Sequence, residues 1–230
     1  MLSPVLAANN ASVIYGSGAL ATAALADVSL TFEPGEVSLL MGSSGSGKTT
    51  LLSLLGCLRT ADRGHVTLLG QELRGCREPE LVRLRSEHIG FVFQFFRLFR
   101  SLTAVENVEV GLEFTPGGRG GKMTASAALD AVGLSTKKHL RPEQMSGGER
   151  QRVAVARALA KNPRILLADE PTAALDSASG AQVAELIRTL ATERGMVAVI
   201  ATHDPRLTPF GDRVIAMSDG KVVSDQRSGA

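Results

Sequence analysis

Short apolar runs set the frame of the chain. Val37–Met41 (VSLLM) stops at a glycine, Ile89–Phe93 (IGFVF) stops at Gln94, Ile165–Ala168 (ILLA) stops at two acids, and Met196–Thr202 (MVAVIAT) stops at His203. Runs of this length with such endings are the pattern of buried strands. Between them, leucine-rich Lys48–Leu58, Ser146–Lys161 and Ala181–Glu193 read as helices. The second is stopped by Asn162-Pro163, since proline cannot continue a helix. Val214–Met217 and Lys221–Val223 predict a hairpin turned by Asp219-Gly220. Strands alternating with helices predict an α/β fold with a mainly parallel sheet. The stretch from about Ser101 to Lys161 is mostly helical and reads as a separate lobe. Thr115–Lys122 (TPGGRGGK) breaks the composition and reads as a surface loop. No internal repeat interrupts this order.

Composition narrows the function classes. With 44% hydrophobic residues, the 230-residue chain has enough apolar side chain for a core, unlike a disordered polymer. Its 25 basic and 23 acidic residues leave a formal charge of +2, not the basic excess of a dedicated nucleic-acid binder, so no nucleic-acid partner is expected. Cys57 and Cys76 fit neither a CxxC pair nor a zinc site, and two unpaired thiols suit a reducing compartment. No apolar run reaches the roughly 20 residues of a membrane helix. Met1–Asn10 lacks the order of a signal peptide. A cytoplasmic protein is the expectation, joined to any membrane only through a partner.

The candidate chemistry begins where Val37–Met41 ends. Gly42-Ser43-Ser44-Gly45-Ser46-Gly47-Lys48-Thr49 fits G-x-x-x-x-G-K-[ST] between a predicted strand and a predicted helix, and Thr50 continues that helix. Glycines let successive N–H groups curl inward around phosphate, and the helix N-terminus adds positive potential. Lys48 can reach the β- and γ-phosphates, and the Thr49 hydroxyl can ligate Mg²⁺. A Gly/Ser linker would need neither Lys-Thr at its end nor regular elements on its flanks. At the second site, Ile165–Ala168 delivers Asp169 and Glu170. Alone these acids would be a solvated turn. Below a phosphate loop, Asp169 is a candidate Mg²⁺ ligand and Glu170 a candidate general base.

Met145-Ser146-Gly147-Gly148-Glu149-Arg150-Gln151-Arg152 is the most specific string. Ser146 and Glu149 predict a capping box, with Ser146 as N-cap and Glu149 three residues on. That leaves two glycines in the first helical turn, where they weaken a helix relative to alanine. They are explained if something must approach the backbone closely, and a bare helix N-terminus attracts an anion.

SGGERQR, about 20 residues before ADEPT and about 100 after the phosphate loop, resembles the ABC ATPase family over almost the whole chain. The resemblance implies one P-loop NTPase (RecA-like) domain over 1–230, α/β with a parallel sheet, an antiparallel β part and an inserted α-helical subdomain. Residues 1–94 and 162–230 would form the catalytic core and 95–161 the signature subdomain. It implies a homodimer that sandwiches ATP and Mg²⁺ head to tail, with Ser146, Gly147 and Gly148 completing the partner's site. It places Tyr15 against adenine, Gln94 near Mg²⁺ and the attacking water, Ala174-Leu175-Asp176 across the interface and His203 at the γ-phosphate. Met145 stands where leucine is usual and Ala174 where Ser or Asn often sits, and neither change threatens hydrolysis. His65, His88 and His139 have no metal-ligand spacing.

The 98 positions from Lys48 to Ser146 leave no room for the long coiled coil of ABC-type DNA-repair and chromosome proteins, and one domain is fewer than the ribosome-acting proteins carry. MGSSGSGKTTLLSLLGCL, IGFVFQFF, SLTAVENV and LADEPTAALDS resemble the branch with lipoprotein-release, macrolide-export, haem-efflux and glycolipid-export ATPases. An ATPase subunit of an exporter or mechanotransmission system is implied, peripheral to the inner membrane through a separate permease. A non-transport mechanical regulator, like the cell-division ATPase of this family, is the alternative. Cargo is chosen by the permease, so the resemblance names none. Phe95, Phe96, Leu98 and Phe99 follow Gln94, where the strand has ended and a polar loop is expected. Such an apolar cluster is a candidate patch for docking the permease.

Overall fold

The computed structural model describes residues 5–113 and 123–227. Phe114 and the expected loop Thr115–Lys122 lie outside the described residues. Two sheets and a helical layer build the molecule. In the first sheet, β1 (Leu6–Tyr15), β2 (Thr22–Phe32), β4 (Arg63–Leu68) and β5 (Gln71–Glu72) run antiparallel in the order β2-β1-β4-β5. The second has the order β10-β9-β3-β8-β7-β6. There β3 (Val37–Met41), β6 (Ile89–Phe93), β7 (Ile165–Asp169), β8 (Val197–Thr202) and β9 (Arg213–Ser218) are parallel, and β10 (Lys221–Arg227) is an antiparallel edge. Asp219 (φ 49°) and Gly220 (φ 73°) turn the β9–β10 hairpin, with both central residues left-handed as a type I′ turn requires.

The parallel strands are apolar on both faces because both are covered. Along β7, Leu166 and Ala168 pack with the helical layer, and Ile165 and Leu167 pack toward the antiparallel sheet. The helical layer holds α3 (Ala104–Glu113), α4 (Ala125–Ala131), α5 (Gly147–Leu159) and α6 (Ser177–Arg194). Val108, Leu129 and Val153 of α3, α4 and α5 share one core with Val92, Leu166 and Ile200 of the sheet. Met145, the departure from leucine, is buried in that core. The other face buries α1 (Lys48–Leu55) and α2 (Glu78–His88).

Helix ends differ from the sequence expectation for local reasons. Helix α1 stops at Leu55, short of Leu58, because Cys57 turns left-handed at φ 56° after Gly56. A Cβ on Gly56 would lie 2.3 Å from the Phe91 ring, so the helix end fits only glycine there. Helix α6 starts at Ser177, before Ala181, because the Asp176 carboxylate accepts the Ser179 N–H at 3.0 Å and caps it.

Candidate active site

The C-terminal ends of β3, β6, β7 and β8 open onto a cleft of about 530 Å³. It is lined by Ser43 through Thr50, Gln94, Asp169, Glu170, His203 and Ala24. The end of a parallel sheet, where strands hand over to helices, is where α/β folds place their ligands. Three separate sequence segments, the glycine loop, the strand-end acids and His203, therefore meet in space.

The loop residues earn their conformations individually. Gly45 (φ 82°) and Gly47 (φ 103°) are left-handed, and a Cβ on Gly47 would come within 2.7 Å of the Ala24 carbonyl oxygen. Gly47 is the N-cap of α1 and offers no side chain to cap it. The first-turn N–H groups of Lys48, Thr49 and Thr50 have no intrahelical acceptor, since the first such bond is Leu51 N–H to Gly47 O at 2.9 Å. Uncapped donors at a helix N-terminus facing a cleft form an anion site. Ser46 Oγ, buried with no partner among the described residues, adds an unused hydroxyl to the lining.

Lys48 is 6% exposed and donates to the Gly42 and Ser43 carbonyls at 2.7 and 2.9 Å. Its ammonium has three donors, so one remains for a ligand. Thr49 Oγ1 donates to Asp169 Oδ1 at 3.2 Å, pairing two hard oxygen donors suited to a divalent cation carried on phosphate. Burial pushes the Asp169 carboxyl above the usual carboxylate range, and the neighbouring Glu170 charge adds to the rise. The Thr49 hydrogen bond and the Lys48 charge oppose it. A bound cation would offset the burial term directly.

Glu170 holds a strained backbone, φ 49°, with its N–H donating to Ala201 O at 2.9 Å. A non-glycine residue kept in this region stores strain and is a recurrent feature of functional sites. The turn aims the carboxylate at His203, whose Nδ1 lies 2.8 Å from Glu170 Oε1.

Other residues named from the sequence lie outside this cleft. Tyr15 ends β1, is 46% exposed and has the Arg59 guanidinium 4.3 Å above its ring. Ser146 caps α5: its Oγ accepts the Glu149 N–H at 3.3 Å, and Glu149 Oε2 accepts the Ser146 N–H at 2.9 Å. The expected capping box is present. Lys137 also pairs with Glu149, and this contact and the Ser146 N–H hold the carboxyl below the usual range. A Cβ on Gly148 would lie 3.2 Å from Ser179 Cβ, and one on Gly147 3.2 Å from Leu175 Cδ2, so α5 begins close against the Ala174–Asp176 segment.

Phe95, Phe96 and Leu98 border a second groove of about 410 Å³ with Arg100, Pro142, Glu143 and Arg150. Phe95 and Phe99 are 73% and 53% exposed, Phe96 lies under Arg150 at 5.1 Å, and Leu98 packs on the helical core. Phe96 (φ 53°) and Arg97 (φ 49°) are both left-handed. Arg157 of α5 donates to their carbonyls at 2.8 and 2.5 Å. Asn107 of α3, fully buried, accepts the Phe99 N–H at 2.8 Å and donates to Phe99 O at 3.1 Å.

Sequence reasoning passed over Gln151, Asn107 and Arg157. Gln151 is fully buried, and its Nε2 donates to Pro171 O at 2.6 Å and to Phe93 O at 3.4 Å. It ties α5 to the residues following Glu170 and preceding Gln94. The available signal was position: Gln151 falls on the buried stripe with Gly148, Val155 and Ala158, where a polar residue needs a partner.

Residues 25–173 match the family model described as ABC transporter. The chain is 41% identical over 232 residues to a macrolide export ATP-binding/permease protein MacB of Bradyrhizobium diazoefficiens, covering 100% of this chain and 35% of that protein. It is 42% identical over 219 residues to MacB of Neisseria gonorrhoeae, covering 94% of this chain and 34% of that protein. The chain thus spans about a third of the length of these relatives. The dimeric post-hydrolysis state of the ATP-binding cassette MJ0796, bound to ADP and Pi, superposes with a TM-score of 0.86 at 39% identity, covering 96% of this chain and 98% of that one. CbiO1 of Clostridium perfringens superposes with a TM-score of 0.85 at 27% identity, covering 97% and 88%.

Proposed function

The chain belongs to the ABC transporter family, and from that premise we propose that it binds and hydrolyses Mg-ATP as half of a head-to-tail dimer that drives a shape change in a membrane permease. The observation that carries this reading is the single cleft joining the glycine loop, Asp169 and the Glu170–His203 pair.

The N–H groups of the loop and Lys48 Nζ take the β- and γ-phosphates. Thr49, Asp169 and Gln94 would hold Mg²⁺, which would supply charge neutralisation at those phosphates. Glu170 accepts a proton from the attacking water as its oxygen bonds to the γ-phosphorus. The bond to the bridging oxygen breaks, releasing ADP and phosphate. His203 orients the Glu170 carboxylate and faces the leaving phosphate. Tyr15 provides the stacking surface for adenine.

What the cleft lacks supports the dimer. Ser146, Gly147 and Gly148 do not line it, yet Ser146 is an exposed cap at a helix N-terminus. A second copy, turned by a two-fold axis, brings that terminus to the γ-phosphate. The MacB relatives carry the words ATP-binding and permease in one name. On this reading residues 95–161 act as the signature subdomain, the Phe95–Phe99 segment docks a permease of the exporter or mechanotransmission type, and the protein sits at the inner face of the membrane. No helix among the described residues is long and apolar enough to cross a membrane.

Glu170→Gln tests the chemistry. It should form a stable dimer by gel filtration with Mg-ATP while turnover falls on the order of 10²–10⁴. Wild-type turnover would assign the base elsewhere. Mixing Lys48→Ala with Ser146→Arg tests the shared site. Each is inactive alone, and mixed dimers carry one intact site and regain activity. Proven mixed dimers without activity would refute site sharing.

A further inference from the structure

The end of β1 is held by side chains. Strand β4 pairs with β1 only as far as Ser12 opposite Arg63. Beyond that, the Ile14 N–H donates to Asp62 Oδ2 at 2.7 Å and the Ile14 carbonyl accepts from Arg59 Nη2 at 2.9 Å. Arg59 and Asp62 are themselves paired at 3.5 Å. Both backbone groups of the residue before Tyr15 are therefore gripped by one ion pair, which continues the ladder where the partner strand has ended. After Tyr15 the chain reverses at Gly16 (φ 79°), where a Cβ would meet Leu20 O at 2.6 Å.

The same Arg59 guanidinium lies 4.3 Å over the Tyr15 ring. A cation over an aromatic face is attracted by the ring quadrupole. One face of the ring is thus covered, and the residue as a whole is still 46% exposed, which leaves surface for a flat ligand. On the opposite side, β2 pairs Ile14 with Ala23 and Tyr15 with Thr22, and the adjacent Ala24 lines the phosphate cleft. The ring stands one strand pair from that cleft, on a backbone whose position the Arg59–Asp62 pair sets.

We propose that Arg59, steered by Asp62, is a positioning residue that holds the Tyr15 ring in place for a purine base, by covering one face and clamping the preceding peptide. Arg59 follows the glycine-loop helix α1, so one segment carries both the phosphate donors and the brace of the base platform. This rests on the reading of Tyr15 as the base-stacking residue.

The chain contains one tyrosine and no tryptophan, so its tyrosine fluorescence reports Tyr15 alone. In the 230-residue chain, Arg59→Ala should lower the anisotropy of that signal. It should raise KM for Mg-ATP and weaken ADP binding by calorimetry about two- to fivefold, the range of an exposed cation–π contact, with kcat at saturation unchanged. Arg59→Gln keeps a donor for Ile14 O without the charge, serves if the alanine variant does not fold, and should raise KM by no more than the alanine change does. Arg59→Lys restores only part of the effect, because an ammonium lacks the planar stack. Decisively, adding Arg59→Ala to Tyr15→Ala should change KM no further. Additive effects would overturn the proposal, because Arg59 would then act without the ring. If Tyr15→Ala alone leaves KM and ADP affinity unchanged, the base-stacking reading fails and the proposal with it. Turnover lost at saturating Mg-ATP in a folded Arg59 variant would also overturn it.

Discussion

Replacing Gln151 with leucine separates a structural from a chemical role for the interior of α5. The amide orientation is forced, since the reverse would set Oε1 against the Phe93 and Pro171 carbonyls. In the native orientation Oε1 is buried without a partner. Leucine removes two donor contacts, one at 2.6 Å and one so long at 3.4 Å that it contributes little. Leaving the Pro171 carbonyl unsatisfied costs about 1–3 kcal/mol. Deleting the orphaned Oε1 returns a similar amount, so net stability should change by no more than about 1 kcal/mol. Turnover should respond differently. Pro171 follows Glu170, whose strained φ of 49° needs its surroundings to hold it. Releasing about 1.4 kcal/mol of that strain would cost about tenfold in kcat, while ATP affinity, set at the glycine loop, stays the same. Thermal melting, ATP titration and steady-state kinetics on one preparation decide it. A folded Gln151→Leu variant with wild-type kcat refutes the reasoning. So does a loss of 3 kcal/mol or more in stability, which would make Gln151 a structural residue.

Asp169→Asn should melt higher than wild type at neutral pH without nucleotide, yet lose Mg²⁺-dependent turnover by at least about 10²-fold, as expected for loss of a group that acts on the transition state. Burial raises the folded-state pKa of Asp169, so its contribution to stability is present below the unfolded value near 3.8 and is lost as pH rises through the folded one. The melting advantage of asparagine should therefore shrink on acidification, and an advantage that grows there would refute the sign. Phe96→Ala, at a half-buried ring bordering the groove, and Phe99→Ala, at an exposed one, made separately, should keep ATPase activity and melting temperature near wild type while copurification with the permease drops, since aromatic anchors carry much of an interface's energy. Unfolding by either change would place that residue in the core.

The parts of the fold legible in the sequence are those where local pattern and final burial coincide. Val37–Met41 and Ile89–Phe93 are apolar runs with abrupt ends, and the strands keep those limits. Asp219-Gly220 specifies its own hairpin. The antiparallel sheet came only from the family resemblance, because β1, LAANNASVIY, is rich in Ala and Asn and bulged between Ala8 and Ala11. Its left-handed Asn10 and the close approach of Gly64 break the period-two signal. Helix α2 escaped notice because it is largely charged and buries only Leu81 and Leu84. The cleft residues were legible because glycine loops and strand-end acids are local motifs. The residues bracing them were not, since Gln151 acts on Pro171 and Arg59 on Ile14 across the fold. Periodicity reveals that a position is buried, not which distant carbonyl it meets.

The Phe95–Phe99 segment shows how such bracing shapes a surface. A flexible loop would bury its aromatics by collapse. Here Phe96 and Arg97 are left-handed, and the carbonyls of both are held by Arg157, while Asn107 holds both backbone groups of Phe99. With the backbone fixed, Phe95 and Phe99 remain outward, and their ordering has already been met by folding and not left to binding. The helix that fixes this segment also reaches the hydrolytic side. Along α5, the capped N-terminus at Ser146 is followed by Gln151 on Pro171, and further along by Arg157 on Phe96 and Arg97. The strained residues Glu170, Phe96 and Arg97 are thus maintained, directly or through the adjacent peptide, by side chains of one helix. The cleft side, through the Pro171 carbonyl, and the aromatic surface, through the Phe96 and Arg97 carbonyls, are both hydrogen-bonded to α5, so the two share one support.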